Sequence, residues 1–175
     1  MPSGTRGHAG RARPRLRCPA QHQRLQSARA SRRSVVALPP ARDTRSVERQ
    51  LVSSGSPYEP IIGYSRVVRD GRHVFVAGTC AVMPDDADPP NDAYEQARRC
   101  FEIIVAALSE VDAGPEHVVR TRIFLVNAED WEGVGRAHAE IFRDVRPVSS
   151  MLVVPRIIDP RWLVEIEADA LLPEE

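Results

Sequence analysis

The sequence predicts an α+β domain in which two helices cover one face of a β-sheet, with the element order ββαβαββ. Three observations lead to this prediction. Alternating apolar and polar residues are typical of half-buried strands, apolar residues at steps of three and four are typical of amphipathic helices, and turn residues separate the two kinds of segment. An antiparallel sheet with helices on one side leaves its other face without a partner, which favours association of subunits.

The chain divides by charge into two regions. Residues 1–46 hold 11 Arg and one acidic residue, whereas residues 47–175 hold 13 Arg and 23 acidic residues, although the whole chain has a formal net charge of zero. The first region is poor in apolar residues, so we interpret it as a disordered extension or as the result of a start codon assigned too far upstream. An arm that binds an anionic partner and an organellar transit peptide are the alternatives. Residues 47–175 are expected to form one domain around a single core.

Composition excludes several classes of function. Lysine is absent, which excludes Schiff-base and pyridoxal phosphate chemistry. The three cysteines form no CxxC pair and the five histidines are scattered, so neither a disulfide framework nor a metal site is predicted. Glycine motifs for nucleotides are also absent, so no cofactor is predicted. The chain has no apolar run of the length that a signal peptide or a membrane span needs, and we expect a cytoplasmic protein.

The first pair of strands is predicted at residues 64–69 and 73–78. Asp70 and Gly71 lie between them, and this dipeptide tolerates the positive φ angles of a tight hairpin turn. Gly78 then ends the second strand. A missing side chain there either allows a ligand or another backbone to approach closely or simply begins a loop, and the sequence favours neither interpretation.

The first helix is predicted to begin at Asp92, which has capping-box spacing to Glu95. Gly114 and Pro115 are expected to stop this helix, with Gly114 at the C′ position. Cys100 lies on the apolar face, so we interpret it as a core residue rather than a nucleophile. That face comprises Ala97, Cys100, Phe101, Ile104, Leu108 and Val111.

A third strand is predicted at residues 118–126 and a second helix at residues 131–145. In the strand, Val119, Thr121, Ile123 and Leu125 alternate with Arg120, Arg122 and Phe124, so that each set has its own face. Either Asn127 or Asp130 is positioned to cap the helix. His138 lies on the apolar side of that helix, where a packed histidine is favoured over a catalytic one.

The last two strands are predicted at residues 149–154 and 163–171. In the final strand Glu165, Glu167 and Asp169 alternate with apolar residues. Three acids on one strand face are typical of a solvated surface. If that face is instead partly covered, burial raises the pKa of a carboxyl group toward neutrality, as an acid or base catalyst requires. Glu165 is therefore the candidate catalytic residue.

Five strings in the second region, in this order and spacing, resemble the Rid family, also called the YjgF or reactive intermediate deaminase family. The resemblance extends from about Ser53 to Leu172 and implies a chorismate-mutase-like fold, a homotrimer and ligand clefts between neighbouring subunits. It also implies cofactor-independent hydrolysis of enamines and imines to carbonyl compounds and ammonia. The strings are residues 63–65 (Gly-Tyr-Ser), 76–78 (Val-Ala-Gly), 96–100 (Gln-Ala-Arg-Arg-Cys), 118–124 (Val-Val-Arg-Thr-Arg-Ile-Phe) and 164–168 (Val-Glu-Ile-Glu-Ala).

The same resemblance implies roles for individual residues. Glu165 matches the acid that positions or activates the attacking water. Tyr64 and Gly78 match residues that line the cleft, and backbone groups at Gly78 and Thr79 would bind the substrate.

Three positions depart from the family pattern. Ser149 stands where family deaminases carry an arginine for the substrate carboxylate, Gly135 where a ligand-contacting asparagine is usual, and Met151 where a cleft cysteine is usual. Truncating a desolvated arginine–carboxylate pair costs about 2–5 kcal/mol. We therefore expect a changed ligand, less acidic or larger, read by Ser149 and Ser150 beside Met151, while Arg146 or Arg156 is the alternative source of a cation.

The combined prediction is a Rid-like deaminase of enamines and imines with an altered substrate range. The alternative is a non-catalytic trimer of the same fold that binds a small metabolite or has a regulatory role. Chorismate mutase chemistry is disfavoured because fold alone does not assign function. Nucleic acid is disfavoured as a partner because the acidic second region offers no basic patch.

Overall fold

The computed structural model describes residues 49–174, which form one six-stranded sheet with the order β1-β2-β3-β6-β4-β5. The proposed extension at residues 1–46 lies outside the described residues. No helix in the described part of the chain is long and apolar enough to cross a membrane. The strands are β1 (Gln50–Val52), β2 (Val67–Asp70), β3 (His73–Thr79), β4 (Val118–Leu125), β5 (Val148–Val153) and β6 (Val164–Leu171), and the helices are α1 (Glu59–Ile62), α2 (Ala93–Ser109) and α3 (Trp131–Phe142).

The predicted order ββαβαββ is present as β2, β3, α2, β4, α3, β5 and β6, with β1 and α1 added before it. The sheet is mixed rather than wholly antiparallel, because β5 runs parallel to β4. Parallel neighbours need a crossover connection, and α3 provides it. The short strand β1 escaped prediction because its three residues carry no alternating pattern.

The predicted hairpin is confirmed. Strands β2 and β3 pair antiparallel with Asp70 opposite His73, and Gly71 in the turn has a φ angle of 59°. Val67, Val74 and Val76 face the helices and are buried. The hairpin therefore contributes one face to the core.

Helix α2 provides the main apolar surface against the sheet. Asp92 is its N-cap, and the Asp92 carboxylate accepts a hydrogen bond from the backbone N–H of Glu95. The predicted apolar face is buried, and Cys100 lies within the core. The predicted stop is wrong in detail, because the helix ends at Ser109. Asp112, with a φ angle of 59°, turns the chain, whereas Gly114 is extended and begins a 3-10 turn.

Strand β4 departs from the predicted alternation at its first residues. Val118 is buried and Val119 is exposed, because the pairing with β6 shifts register between Val118 and Arg120. From Thr121 onward the strand alternates as predicted, with Thr121, Ile123 and Leu125 buried. Helix α3 ends at Phe142, three residues before the predicted end at 145, and Asn127 caps the preceding 3-10 turn rather than α3.

Candidate functional site

Glu165 lies on β6 and is half-buried on the side of the sheet away from the helices. It pairs in register with Phe124, while its neighbours Val164 and Ile166 are fully buried on the helix side. Burial raises the pKa of the Glu165 carboxyl, and the negative charge of Glu167 adds to the rise. A hydrogen bond with the Cys80 thiol and the charge of Arg66 oppose it. The carboxylate is thus sheltered from water without a direct ion pair.

Gly78 makes room for the Glu165 carboxylate. A β-bulge in β3, between Val76 and Thr79, brings the Gly78 backbone against Glu165, and a β-carbon at position 78 would collide with Oε1 of Glu165. Of the two interpretations of Gly78, the structure thus supports close approach, with a side chain of this protein as the approaching group. Glycine at this position is a steric requirement of the site.

The side chain of Arg66 stabilises the bulge through hydrogen bonds. Its Nη1 donates to the carbonyl oxygens of Ala77 and Gly78 at 3.2 and 3.1 Å and to Oγ1 of Thr79 at 2.8 Å. The Thr79 hydroxyl in turn donates to the carbonyl of Ala77 at 2.8 Å. Since Thr79 is buried and its hydroxyl is bonded within the loop, its side chain is not free to bind a ligand.

Glu165 opens into a depression of about 280 Å³. Arg156 lines the same depression, whereas Arg146 lies elsewhere, where its Nε donates to the carbonyl of Arg143. The depression thus offers two carboxylates, of Glu165 and Glu167, and the guanidinium of Arg156 on an otherwise apolar wall. Its lining residues are Phe124, Val154, Arg156, Ile157, Ile158, Glu165 and Glu167.

Tyr64 lines a second depression, of about 510 Å³, on the same side of the sheet. Glu167 borders both depressions, which are therefore neighbours. In the second one Nε of Arg122 donates to Glu167 at 2.6 Å, and its two terminal nitrogens donate to Asp169 at 3.1 and 3.2 Å. The three acids of the final strand are therefore not a simple solvated face, because Arg122 neutralises two of them.

The remaining predicted site residues lie on β5 and α3. Oγ of Ser149 accepts a hydrogen bond from Oγ1 of Thr121 at 2.9 Å. A β-carbon at Gly135 would lie 3.8 Å from Cε of Met151, so Met151 packs over Gly135. Ser150 pairs in register with Arg122 and is exposed.

The predicted site residues fall into two groups within one subunit. Ser149 pairs with Thr121 on the helix side of the sheet, while Glu165 pairs with Phe124 on the opposite side. Because paired residues on neighbouring strands project to the same side, Ser149, Met151 and Gly135 face away from the Glu165 depression. Gly78 contacts Glu165, and Tyr64 and Ser150 lie on the Glu165 side without reaching its depression.

Among the residues that support the site, Arg66 and Thr121 were not predicted. Arg66 and Thr121 act on the site only through contacts across strands, and sequence patterns do not report such contacts. The one available signal was that Thr121 is a polar residue at a position predicted to face the core, where hydroxyl groups need a hydrogen-bond partner.

Comparisons with known proteins agree on one family. A family model described as endoribonuclease L-PSP matches residues 55–172. An uncharacterised protein of Streptomyces coelicolor is 45% identical over 119 residues, covering 68% of this chain and 89% of that protein. The RutC family protein UK114 of Drosophila melanogaster is 29% identical over 128 residues, covering 72% and 91%. The crystal structure of Rv2704 from Mycobacterium tuberculosis, of the YjgF/YER057c/UK114 family, is similar with a TM-score of 0.66 and 43% identity, covering 71% of this chain and 100% of that chain.

Proposed function

The chain belongs to the YjgF/UK114 family, also called the Rid family, and we propose that it hydrolyses reactive enamines and imines to carbonyl compounds and ammonia. The observation that carries this proposal is the half-buried Glu165 carboxylate, which lines a depression with its pKa raised by burial. A carboxylate in that state is a better proton acceptor than an exposed one.

Glu165 accepts a proton from water in the proposed reaction. The water oxygen attacks the imine carbon, and the electron pair of the C=N bond moves to nitrogen. The proton held by Glu165 passes to that nitrogen, which gives a carbinolamine. Glu165 then transfers the proton of the carbinolamine hydroxyl to the amine nitrogen, the C–N bond breaks, and ammonia leaves as the carbonyl group forms. The Glu165 carboxylate and the Gly78 backbone lie in contact, so the base and the substrate-binding groups are held together before the substrate arrives.

We further propose that two copies of the chain complete each site. Ser149, Met151 and Gly135 lie on the helix side of the sheet and Glu165 lies on the other side, so a single subunit does not bring both groups to one ligand. A neighbouring subunit that places its Ser149 edge against the Glu165 depression would unite them. This arrangement agrees with the homotrimer and inter-subunit clefts that the family resemblance implies.

The test measures ammonia release from imines generated in situ by an amino-acid oxidase. Wild-type protein should accelerate the release, and Glu165→Gln should reduce the acceleration by at least about 100-fold, since a positioned acid or base contributes 10²–10⁴-fold. Glu102→Gln, an exposed carboxylate on α2, is the matched control and should behave as the wild type. Equal rates for wild type, Glu165→Gln and buffer would contradict the proposal.

The second candidate function is a non-catalytic module that binds a small metabolite. The observation that favours it is the neutral Ser149 in place of the family arginine. A ligand that binds only the folded state raises the melting temperature, so thermal-shift screening against small metabolites tests this candidate. Stabilisation by a metabolite together with absent imine turnover would favour the module over the hydrolase.

A further inference from the structure

The loop between β5 and β6, residues 154–163, places a cation beside the candidate catalytic residue. Arg156 on this loop is exposed and lines the same depression as Glu165. Within the described part of the chain, no carboxylate oxygen lies within 4.0 Å of a guanidinium nitrogen of Arg156. The charge of Arg156 is therefore available to a ligand in the depression.

The backbone that carries Arg156 is fixed by contacts with the core. Ile157, the next residue along the loop, is buried with 6% of its surface exposed. Further along, the side chain of the buried Gln96 donates to the carbonyl of Arg161 and accepts from the backbone N–H of Leu163, each at 2.8 Å. Because this segment is held before a ligand arrives, less entropy is lost when Arg156 binds one.

Two other guanidinium groups near Glu165 are already bonded within the protein. Nη1 of Arg66 donates to two carbonyl oxygens of the bulge at 3.2 and 3.1 Å. Nε of Arg122 donates to Glu167 at 2.6 Å and so balances the second carboxylate of the depression. The charges of the depression that have no ion pair among the described residues are thus one negative, on Glu165, and one positive, on Arg156.

We propose that Arg156 is the specificity-determining residue of the site and binds the carboxylate of a 2-imino acid whose side chain is apolar. This inference rests on the proposed function and names the substrate class of that site. A 2-imino acid protonated on nitrogen carries both charges, so its iminium group can face Glu165 while its carboxylate faces Arg156. A guanidinium binds a carboxylate through charge and two parallel hydrogen bonds. The arginine missing at Ser149 is thus replaced at position 156, in the subunit that supplies Glu165, rather than offset by a less acidic ligand.

The remaining lining of the depression selects the side chain of the substrate. Phe124, Val154 and Ile158 contribute apolar groups to it. An apolar substituent is sheltered from water against these groups, whereas an acidic substituent meets the carboxylates of Glu165 and Glu167. The depression therefore favours an imino acid with one carboxylate over one with two.

Binding of stable 2-oxo products tests the substrate class without any need for turnover. The probes are 4-methyl-2-oxopentanoate, its amide, 2-oxopropanoate and 2-oxopentanedioate, each titrated into the full-length protein and followed by calorimetry. We expect 4-methyl-2-oxopentanoate to bind more tightly than the other three. Arg156→Gln should weaken its binding by about 10- to 100-fold, the value of hydrogen bonds to a charged group, and should weaken binding of the amide much less.

Three additional variants separate recognition by Arg156 from a general effect of charge or folding. Arg156→Lys keeps the charge without the planar fork and should bind the acid better than Arg156→Gln but less tightly than the wild type. Arg146→Gln removes an exposed guanidinium that lies elsewhere and is the matched control, with wild-type binding expected. Ile158 is 95% exposed, so Ile158→Ser should leave the fold intact. It should weaken 4-methyl-2-oxopentanoate by about 3- to 10-fold and leave 2-oxopropanoate unchanged.

Several results would overturn the inference. These are no binding of 4-methyl-2-oxopentanoate, binding no tighter than that of its amide or of 2-oxopentanedioate, unchanged binding in Arg156→Gln or Ile158→Ser, or equal weakening in Arg156→Gln and Arg146→Gln. Imine turnover by the wild type combined with any of these results would overturn the inference and leave the proposed function intact. Acid binding with the expected variant pattern but without turnover would overturn the proposed function alone.

Discussion

At the scale of single residues, the site depends on a close approach between a glycine and a carboxylate. Gly78 lies where the bulge in β3 meets β6, and the space that its side chain would fill holds Oε1 of Glu165. The orientation of the Glu165 carboxylate therefore depends on the absence of a side chain at Gly78.

Gly78→Ala should displace the Glu165 carboxylate and lower kcat/KM for imine hydrolysis by at least about 10-fold, since a misplacement of 1 Å can cost about 100-fold. The melting temperature should change little, because the colliding atom belongs to a side chain that can turn away. Gly133→Ala is the matched control, because its added β-carbon would lie 3.4 Å from Cβ of Tyr94, an ordinary contact. Unchanged kcat/KM in Gly78→Ala would contradict the steric role of Gly78.

Glu165 should also reduce stability at neutral pH. Its pKa is raised in the folded state, so the folded protein holds this proton more tightly than the unfolded chain does, and stability falls as pH rises from the ordinary glutamate value of about 4.3 through the folded pKa. Glu165→Gln should therefore raise the melting temperature at pH 8, and the gain should shrink below about pH 4. Thermal melts between pH 4 and pH 8 measure this, with Glu102→Gln as the control. A gain that is largest in acid would refute the assignment.

At the scale of elements, ion pairs connect strands β4 and β6 on the side of the sheet away from the helices. Arg122 on β4 is bonded to Glu167 and, through two nitrogens, to Asp169 on β6. The side chains of Arg122, Glu167 and Asp169 are 34%, 31% and 18% exposed, so water screens these pairs only in part. The cross-strand cluster balances two of the acids that share a face with Glu165.

Arg122→Gln should lower the free energy of unfolding by about 1–2 kcal/mol, because charge-assisted hydrogen bonds are lost and two acids on one strand face are left unbalanced. Arg120→Gln is the control on the same strand. Arg120 is more exposed and reaches Asp169 at 3.8 Å, so its loss should cost less than about 0.5 kcal/mol. Urea unfolding of the two variants gives both values. Equal losses of unfolding free energy in the two variants would mean that the bidentate contact of Arg122 stabilises the fold no more than the longer contact of Arg120.

The elements differ in how far the sequence predicted them. Helix α2 was predictable because a long apolar stripe and the Asp92 cap are both local signals. The exposure of Val119 was not, because the bulge that turns it outward depends on pairing with β6. The same distinction holds in the site. The strand patterns and the family resemblance both pointed to Glu165 and Gly78, whereas the link from His138 through Thr121 to Ser149 joins α3, β4 and β5 and exists only after folding.

At the scale of the whole molecule, β5 is an edge that a single subunit leaves uncovered. All six of its residues are exposed, and the apolar Val148, Leu152 and Val153 are 63%, 50% and 58% exposed. An open edge strand with apolar residues on both faces invites pairing with another chain. Because Ser149 and Met151 lie on this same strand, covering the edge and completing the proposed site would be one event.

Leu152→Glu should therefore convert the expected trimer into monomer and abolish imine hydrolysis, although Glu165 and Gly78 are untouched. The cause is a charge buried without a partner at the proposed interface, which costs several kcal/mol per site. Light scattering coupled to gel filtration measures the assembly, and circular dichroism checks that the monomer is folded. Ile141→Glu, an exposed apolar position on α3, is the control and should remain trimeric and active. A wild-type protein that is monomeric and fully active would show that one subunit holds the complete site, contrary to the opposite placement of Ser149 and Glu165 on the sheet.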